Sequence, residues 1–522
     1  MPHMQAEENK GWRREAHMRA PNEPSSSVTP ADRSGLELSQ LVELSPMLSR
    51  GDGGSELSAP RRSELEAPNA RAYQMSPPTF LPHHITARNA FRQQLLDLFV
   101  VHHLPEEAVN AGRHRTAGPG HWLVHLSKLP DHPPSLANAL LAICSSRLAR
   151  FRGHRALEYE SLFLFTGSLR ELQVAIRNPS TRYKTETLTT CMALTMYEFS
   201  EAPGLMKQAY TRHYAGAMAL MEARGAAAHA DGLDHSVFQA LRLHTVFQGI
   251  KQRSTTFLRH GDWLKLPWAS TRKNIYDRLL DILLQVPTLY VKADVIERES
   301  SPREILDGTL DIVRLAWLLD RRLSQWFAKF KSLLPGPMYW LELSGIDSIA
   351  DSADRGKVFP VSFKFPAYAI GQTIVLYWIG LLIVHHELCE SYRNICALTE
   401  APRVQEAEIC TCPSREASED TNLGKASEIS TCVCHFYPST LPPLGDRADW
   451  ATTTARNICQ SMEYFVDDRG RGLGSAGTVP RLMIVQKQWK TAPGDYQREL
   501  LWIQDMLNRL QPTNRSREEQ SA

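Results

Sequence analysis

The sequence has almost no net charge: over 522 residues, 59 basic side chains against 57 acidic ones leave a formal +2 at neutral pH. Proteins that live on bulk phosphate contacts carry a stronger basic bias. The balance argues against whole-surface nucleic-acid binding and permits a local patch, the candidates being Arg13-Arg14, Arg61-Arg62 and Arg182 to Lys184. A solvated face or a nuclear-import element accounts for these as well as DNA contact does. Cysteine is scarce too. Nine residues, an odd number, cannot form a disulfide scaffold in a chain of this length, and Cys144, Cys191, Cys389 and Cys459 sit in apolar segments that suit a reducing compartment. The first residues lack the apolar core of a secretory signal, and Glu7, Glu8 and Glu15 argue against a mitochondrial leader. Also missing are a G-x-S-x-G elbow, a phosphate-cradling G-x-x-x-x-G-K-[ST] loop and an H-E-x-x-H helix.

What is present reads as helix. The hydrophobic fraction of 43% and charged fraction of 22% are those of an ordinary globular protein. Residues 1–86 are rich in Ser, Pro, Gly and charge and are expected to form a disordered arm, with at most a short helix around Leu36 to Leu48. From Ala87 apolar residues recur at three-to-four spacing: Phe91, Leu95, Leu98 and Phe99, then Leu136, Leu140, Ile143 and Leu148. Leu162, Phe165, Leu169, Leu172 and Ile176 follow, with further helices over Leu188 to Phe199, Tyr214 to Met221, Phe238 to Phe257, Asn274 to Arg298 and Pro302 to Lys331. The fold class is thus all-α, with a helical domain over 87–400, a flexible polar insertion over 401–446, a second helical part over 447–510 and a disordered tail over 511–522. From Phe365 to Val384 no residue is charged, nearly the span of a bilayer. Pro366, Gln372, Thr373 and the absence of flanking basic clusters favour a core helix over a membrane span.

Four groupings could carry chemistry. Gly472 to Gly477 (GLGSAG) fits G-x-G-x-x-G, but a helical segment precedes it and Pro480 follows, so a loop between helices is expected rather than a dinucleotide site. Cys410-x-Cys412 and Cys432-x-Cys434-His435 are weak metal candidates, because structural zinc sites space each cysteine pair by two to four residues and these have one. The pairs His83-His84, His102-His103 and His385-His386 border apolar helices, where surface or helix-end histidine is the plain reading. Asp467-Asp468 reads as a solvated helix end. Nucleophile, base and oxyanion donor never meet in one segment, so no catalytic residue and no cofactor are expected. An enzyme reading survives only through the aromatic content of 11 Trp, 15 Tyr and 17 Phe, which could line a pocket.

Between Leu136 and Trp268 the order of elements is recognisable. ALLAICSSRLARFRGH is followed by SLRELQVAI, by LTTCMALTMYEFSE, by HYAGAMALMEARG with His213, Gly216-Ala217 and Arg224-Gly225, and by GDWLKLPW with Trp263 and Pro267-Trp268. This order resembles the regulatory domain of fungal zinc-cluster transcription factors, and ARNICQSMEYF with the Pro480-led segment near the C-terminus is similar to the same family. The resemblance implies a helical effector domain in a nuclear regulator of metabolic or secondary-metabolite gene clusters. It also implies other transcription factors or co-regulators as partners, with possible homo- or heterodimers and no membrane. Gly216 and Ala217 are expected to allow close helix approach, Gly225 to cap, and Trp263 and Trp268 to plug a groove. Members of that family begin with a six-cysteine zinc cluster, whereas residues 1–143 here hold no cysteine. The expectation is that DNA is reached only indirectly, or that an N-terminal exon is missing.

Overall fold

The protein is described by a computed structural model over residues 85–104, 121–127, 132–152, 155–201, 208–405, 438–466 and 471–510. The expectations for residues 1–84 and 511–522 lie outside these described residues. Helices α1 (Ile85–His103), α2 (His121–Ser127), α3 (Pro134–Arg152), α4 (Arg155–Arg177), α5 (Thr185–Glu201), α6 (Gln208–Arg224) and α7 (Gly232–Gln252) form the first part. They are followed by α8 (Ile275–Leu283), α9 (Pro287–Ile296), α10 (Pro302–Lys331) and α11 (Tyr368–Gln405). After the polar stretch come α12 (Thr454–Val466), α13 (Arg471–Thr491) and α14 (Gln497–Arg509). The all-α reading holds, with one addition. Between α10 and α11 lies a pair of antiparallel strands, β1 (Trp340–Leu343) and β2 (Val361–Lys364), in the register Trp340 to Lys364. Four residues per strand are too few for an alternating pattern to stand out in sequence.

Local chemistry sets the element ends. Ser301 accepts from the Glu304 amide and Pro302 opens α10, an N-cap followed by Pro at the first helical position. Asn274 caps α8 by accepting from the Asp277 amide at 2.8 Å. Gly225, with φ +78°, ends α6 as expected. Helix α7 stops at Gln252, short of the expected Phe257, because Arg253 turns left-handed with φ +50°. The expected single helix from Asn274 to Arg298 is two, since Pro287 starts α9 afresh.

The α3–α4 pair shows how the core departs from a purely apolar pattern. The buried row of α4 is Leu157, Glu160, Ser161, Leu164, Ser168 and Leu172, whereas Leu162 and Ile176, expected inside, are exposed. Two serines decide the face. Ser161 Oγ lies 2.8 Å from the Ala142 carbonyl, and Ser168 Oγ donates to the Ser135 carbonyl at 2.7 Å, so α4 lies close on α3 through small polar contacts.

Helix α11 is the centre of the second part. It is long and apolar enough to cross a membrane, yet 83% of its most apolar window is buried within the protein. It packs on α8, α10, α12 and α13. Gln372 and Thr373 are buried with it, the threonine hydroxyl donating to the Ala369 carbonyl at 2.6 Å. Gly380 permits the approach of α8: a Cβ there would stand 2.6 Å from Leu283 Cδ2. Gly216, by contrast, has open space where its Cβ would be, so the close approach expected of Gly216-Ala217 is made by buried Ala217 alone.

Helix α11 continues through Gln405, and residues 438–449 form two short 3-10 turns against it, at Pro438–Thr440 and Gly445–Asp449. Tyr392 holds them, its hydroxyl donating to the Pro442 carbonyl at 2.7 Å. The GLGSAG segment is not a loop: Gly472 to Gly477 lie in the first turns of α13, and Pro480 sits inside that helix. Helix α12 rather than a strand comes before it, so the dinucleotide reading has no structural basis.

Candidate functional site

Where the GDWLKLPW segment meets α7 and α8, charge is buried and balanced. Arg242, 1% exposed, reaches Asp277 Oδ1 at 3.3 Å and the Asp277 carbonyl at 3.1 Å, and also pairs with Asp281. Lys273 takes the other oxygen of Asp281, so two cations face two carboxylates. The Arg242 guanidinium stands 5.3 Å from the Trp268 ring centroid and 5.7 Å from that of Phe238. Burial pushes Asp277 up to about 6 against the pull of Arg242.

Trp263 and Trp268, expected to plug a groove, are half-buried and pack against neighbouring rings. Trp263 lies 5.8 Å from the His229 ring and 4.8 Å from Phe257, and Trp268 meets His235 edge-on at 4.8 Å. Burial holds both histidines below the ordinary imidazole value, so they are neutral packing rings near pH 7.

A second buried network lies on α10 and α11. Asp320 accepts from Arg447 and faces His385 Nε2 at 2.8 Å, while His386 Nε2 lies 3.0 Å from Thr491 Oγ1. His385-His386 therefore are not surface or helix-end residues: α11 runs well past them, and both are buried. Burial raises the Asp320 carboxyl, but His385 and Arg447 outweigh it and hold it below the usual range. No serine or cysteine side chain is hydrogen-bonded to His385 among the described residues, so this pair orients helices rather than activating a nucleophile.

A pocket of about 500 Å³ opens between α11 and the 438–449 segment, lined by Cys389, Tyr392, Cys396, Leu444, Trp450 and Pro493. No acid or histidine lines it. Burial pushes the Cys389 thiol up, and its Sγ donates weakly to the Arg447 carbonyl at 3.8 Å, so the thiolate needed for nucleophilic chemistry is disfavoured.

Other sequence candidates resolve as follows. Cys410, Cys412, Cys432, Cys434, His435, His83-His84, Asp467-Asp468, Arg13-Arg14 and Arg61-Arg62 lie outside the described residues. Arg182 donates from Nε to the Ile176 carbonyl at 2.8 Å and so closes the end of α4. Among the described residues no group of three or more His, Cys, Asp or Glu side chains could hold a metal ion. The buried ion networks left little signal in the sequence, because the partners of Arg242 and Asp320 stand 35 to 127 residues away.

No curated protein and no solved structure matches the chain. A protein-family match does cover α1 to α8, taking in the Arg242–Asp277 junction and both groove tryptophans. That match, over residues 75–284, is to the family described as the fungal specific transcription factor domain.

Proposed function

We propose that the protein is a nuclear transcriptional regulator of a metabolic or secondary-metabolite gene cluster, working through its helical domain and reaching DNA through a partner. The observation that carries this reading is the fungal specific transcription factor domain over residues 75–284, whose buried charges close on one another. A pocket without acids or histidines favours an interaction role over a catalytic one. Residues 1–143 hold no cysteine, so the six thiolates of a zinc cluster do not come from them. The test is recruitment. The full chain, fused to an unrelated DNA-binding module, changes transcription from a reporter bearing that module's site; a fusion that is expressed and nuclear but leaves the reporter unchanged overturns the reading.

A further inference from the structure

Arg481 breaks the balance seen at Arg242 and Asp320. It lies in the middle of α13 and is 2% exposed, yet its Nε and Nη1 meet no hydrogen-bond partner among the described residues. One face of the guanidinium is covered by Phe465, with Cζ 4.4 Å from the ring centroid. The groups acting on it are phenols: Tyr368, which hydrogen-bonds it, and Tyr276, whose own hydroxyl is buried without a partner. No carboxylate of the described residues is among them. Asp277, next in the chain to Tyr276, is already engaged by Arg242.

Helix ends add positive potential at the same place. Tyr276 is the second residue of α8 and Tyr368 the first of α11. The free amides at a helix N-terminus favour an anion. On the preceding turn of α13, Gly477 leaves a methyl-sized gap beside the guanidinium, since a Cβ there would touch Nη2 at 3.7 Å. Orphan donors and a fixed positive charge stand beside two helix N-termini, that of α8 capped in part by Asn274, and among the described residues no negatively charged acceptor meets them. A buried guanidinium stays ionised and is costly without a counter-ion.

We infer that the junction of α8, α11, α12 and α13 binds the oxyanion of a small molecule, a carboxylate or a phosphate, with Arg481 as its counter-ion and the Tyr276 hydroxyl as a second donor. The site draws Tyr276 from the matched segment and Tyr368, Phe465 and Arg481 from beyond it, so an occupant ties the two parts together. The inference stands apart from the transcriptional reading, because binding is read in solution without a reporter.

The experiment is thermal unfolding of the full chain in inorganic phosphate, in acetate, and in chloride at matched ionic strength. Expected is a saturable rise in Tm with phosphate or acetate beyond that with chloride; a phosphate-only rise assigns a phosphoryl ligand, an acetate rise a carboxylate. Arg481→Met abolishes the rise. Tyr276→Phe, which removes a hydroxyl with no partner, unfolds at the wild-type temperature without anion and needs about fivefold more anion for half the shift. Should Arg481→Met fail to fold, Tyr276→Phe decides. The inference is overturned if neither probe raises Tm beyond chloride, or if Tyr276→Phe responds as the wild type does. It is also overturned if the response appears only in Asp467→Asn with Asp468→Asn and not in the wild type, since the counter-ion would then belong to the chain.

Discussion

Arg447 holds Asp320 from 127 residues away, with Nη2 at 2.7 Å and Nε at 3.0 Å from the same oxygen, Oδ2. The other carboxylate oxygen faces His385, and the guanidinium lies 4.5 Å from the Trp317 ring centroid. A carboxylate 5% exposed is thus satisfied on both oxygens by groups from two distant segments. The pair pins the 438–449 segment to α10.

Asp320→Asn leaves His385 and Arg447 facing a neutral amide and is expected to cost about 3 kcal/mol in urea unfolding, the low end for a broken buried pair because Arg447 is partly exposed. Arg447→Lys keeps the charge but loses the fork, at about 1 kcal/mol. The folded-state pKa of Asp320 lies below its ordinary value, so its contribution is present above about pH 4 and is lost as pH falls through the folded value. Wild-type stability therefore drops more steeply than that of Asp320→Asn on acidification below pH 4.

Glu160 titrates in the opposite sense. Its Oε1 is buried without a partner, and burial pushes the carboxyl up to about 7. A raised carboxyl contributes stability below its unfolded value that is lost as pH rises through the folded one. Glu160→Gln is expected to raise Tm above pH 7 and to leave it unchanged near pH 4, as read by thermal melts across that range.

Two glycines nine residues apart should respond with opposite signs. Gly225 sits at φ +78° with open space around it, so Gly225→Ala is expected to cost about 1 kcal/mol from backbone strain alone. Gly216 is helical with equally open space, and Gly216→Ala is expected to gain up to about 1 kcal/mol. Chemical denaturation of the two variants checks both.

Gly380 and Leu283 form a small–large pair between α11 and α8. A Cβ on residue 380 would stand 2.6 Å from Leu283 Cδ2, so Gly380→Ala is expected to cost about 1–3 kcal/mol. In a Leu283→Ala background the same change is expected to be neutral or favourable. A double-mutant cycle should return a coupling above about 0.5 kcal/mol.

Helix α10 was legible to the residue, because Ser301 and Pro302 mark its start and an apolar stripe runs through Phe330. Helix α11 was legible as a core helix from its apolar run, with Gln372 and Thr373 inside it. The break before Pro287 carried a readable signal, since a residue before proline disfavours helix. The α4 face did not: Ser161 and Ser168 are buried because they meet carbonyls of α3, which periodicity cannot foresee. Nor could it show that His385 meets Asp320 or that no acid of the described residues meets Arg481, since both facts depend on which distant side chains arrive.

The boundary of the matched segment has a practical consequence. Residue 284 falls at the end of α8, whose Leu279, Leu280 and Leu283 are buried and whose neighbours include α10 and α11. Trp326 of α10 even donates its indole proton to the Ile275 carbonyl at 2.8 Å. A fragment trimmed to that boundary would bare a leucine-rich flank to water and invite self-association. Dissection of this protein by truncation at 284 would then report clumping in the tube rather than anything about signalling.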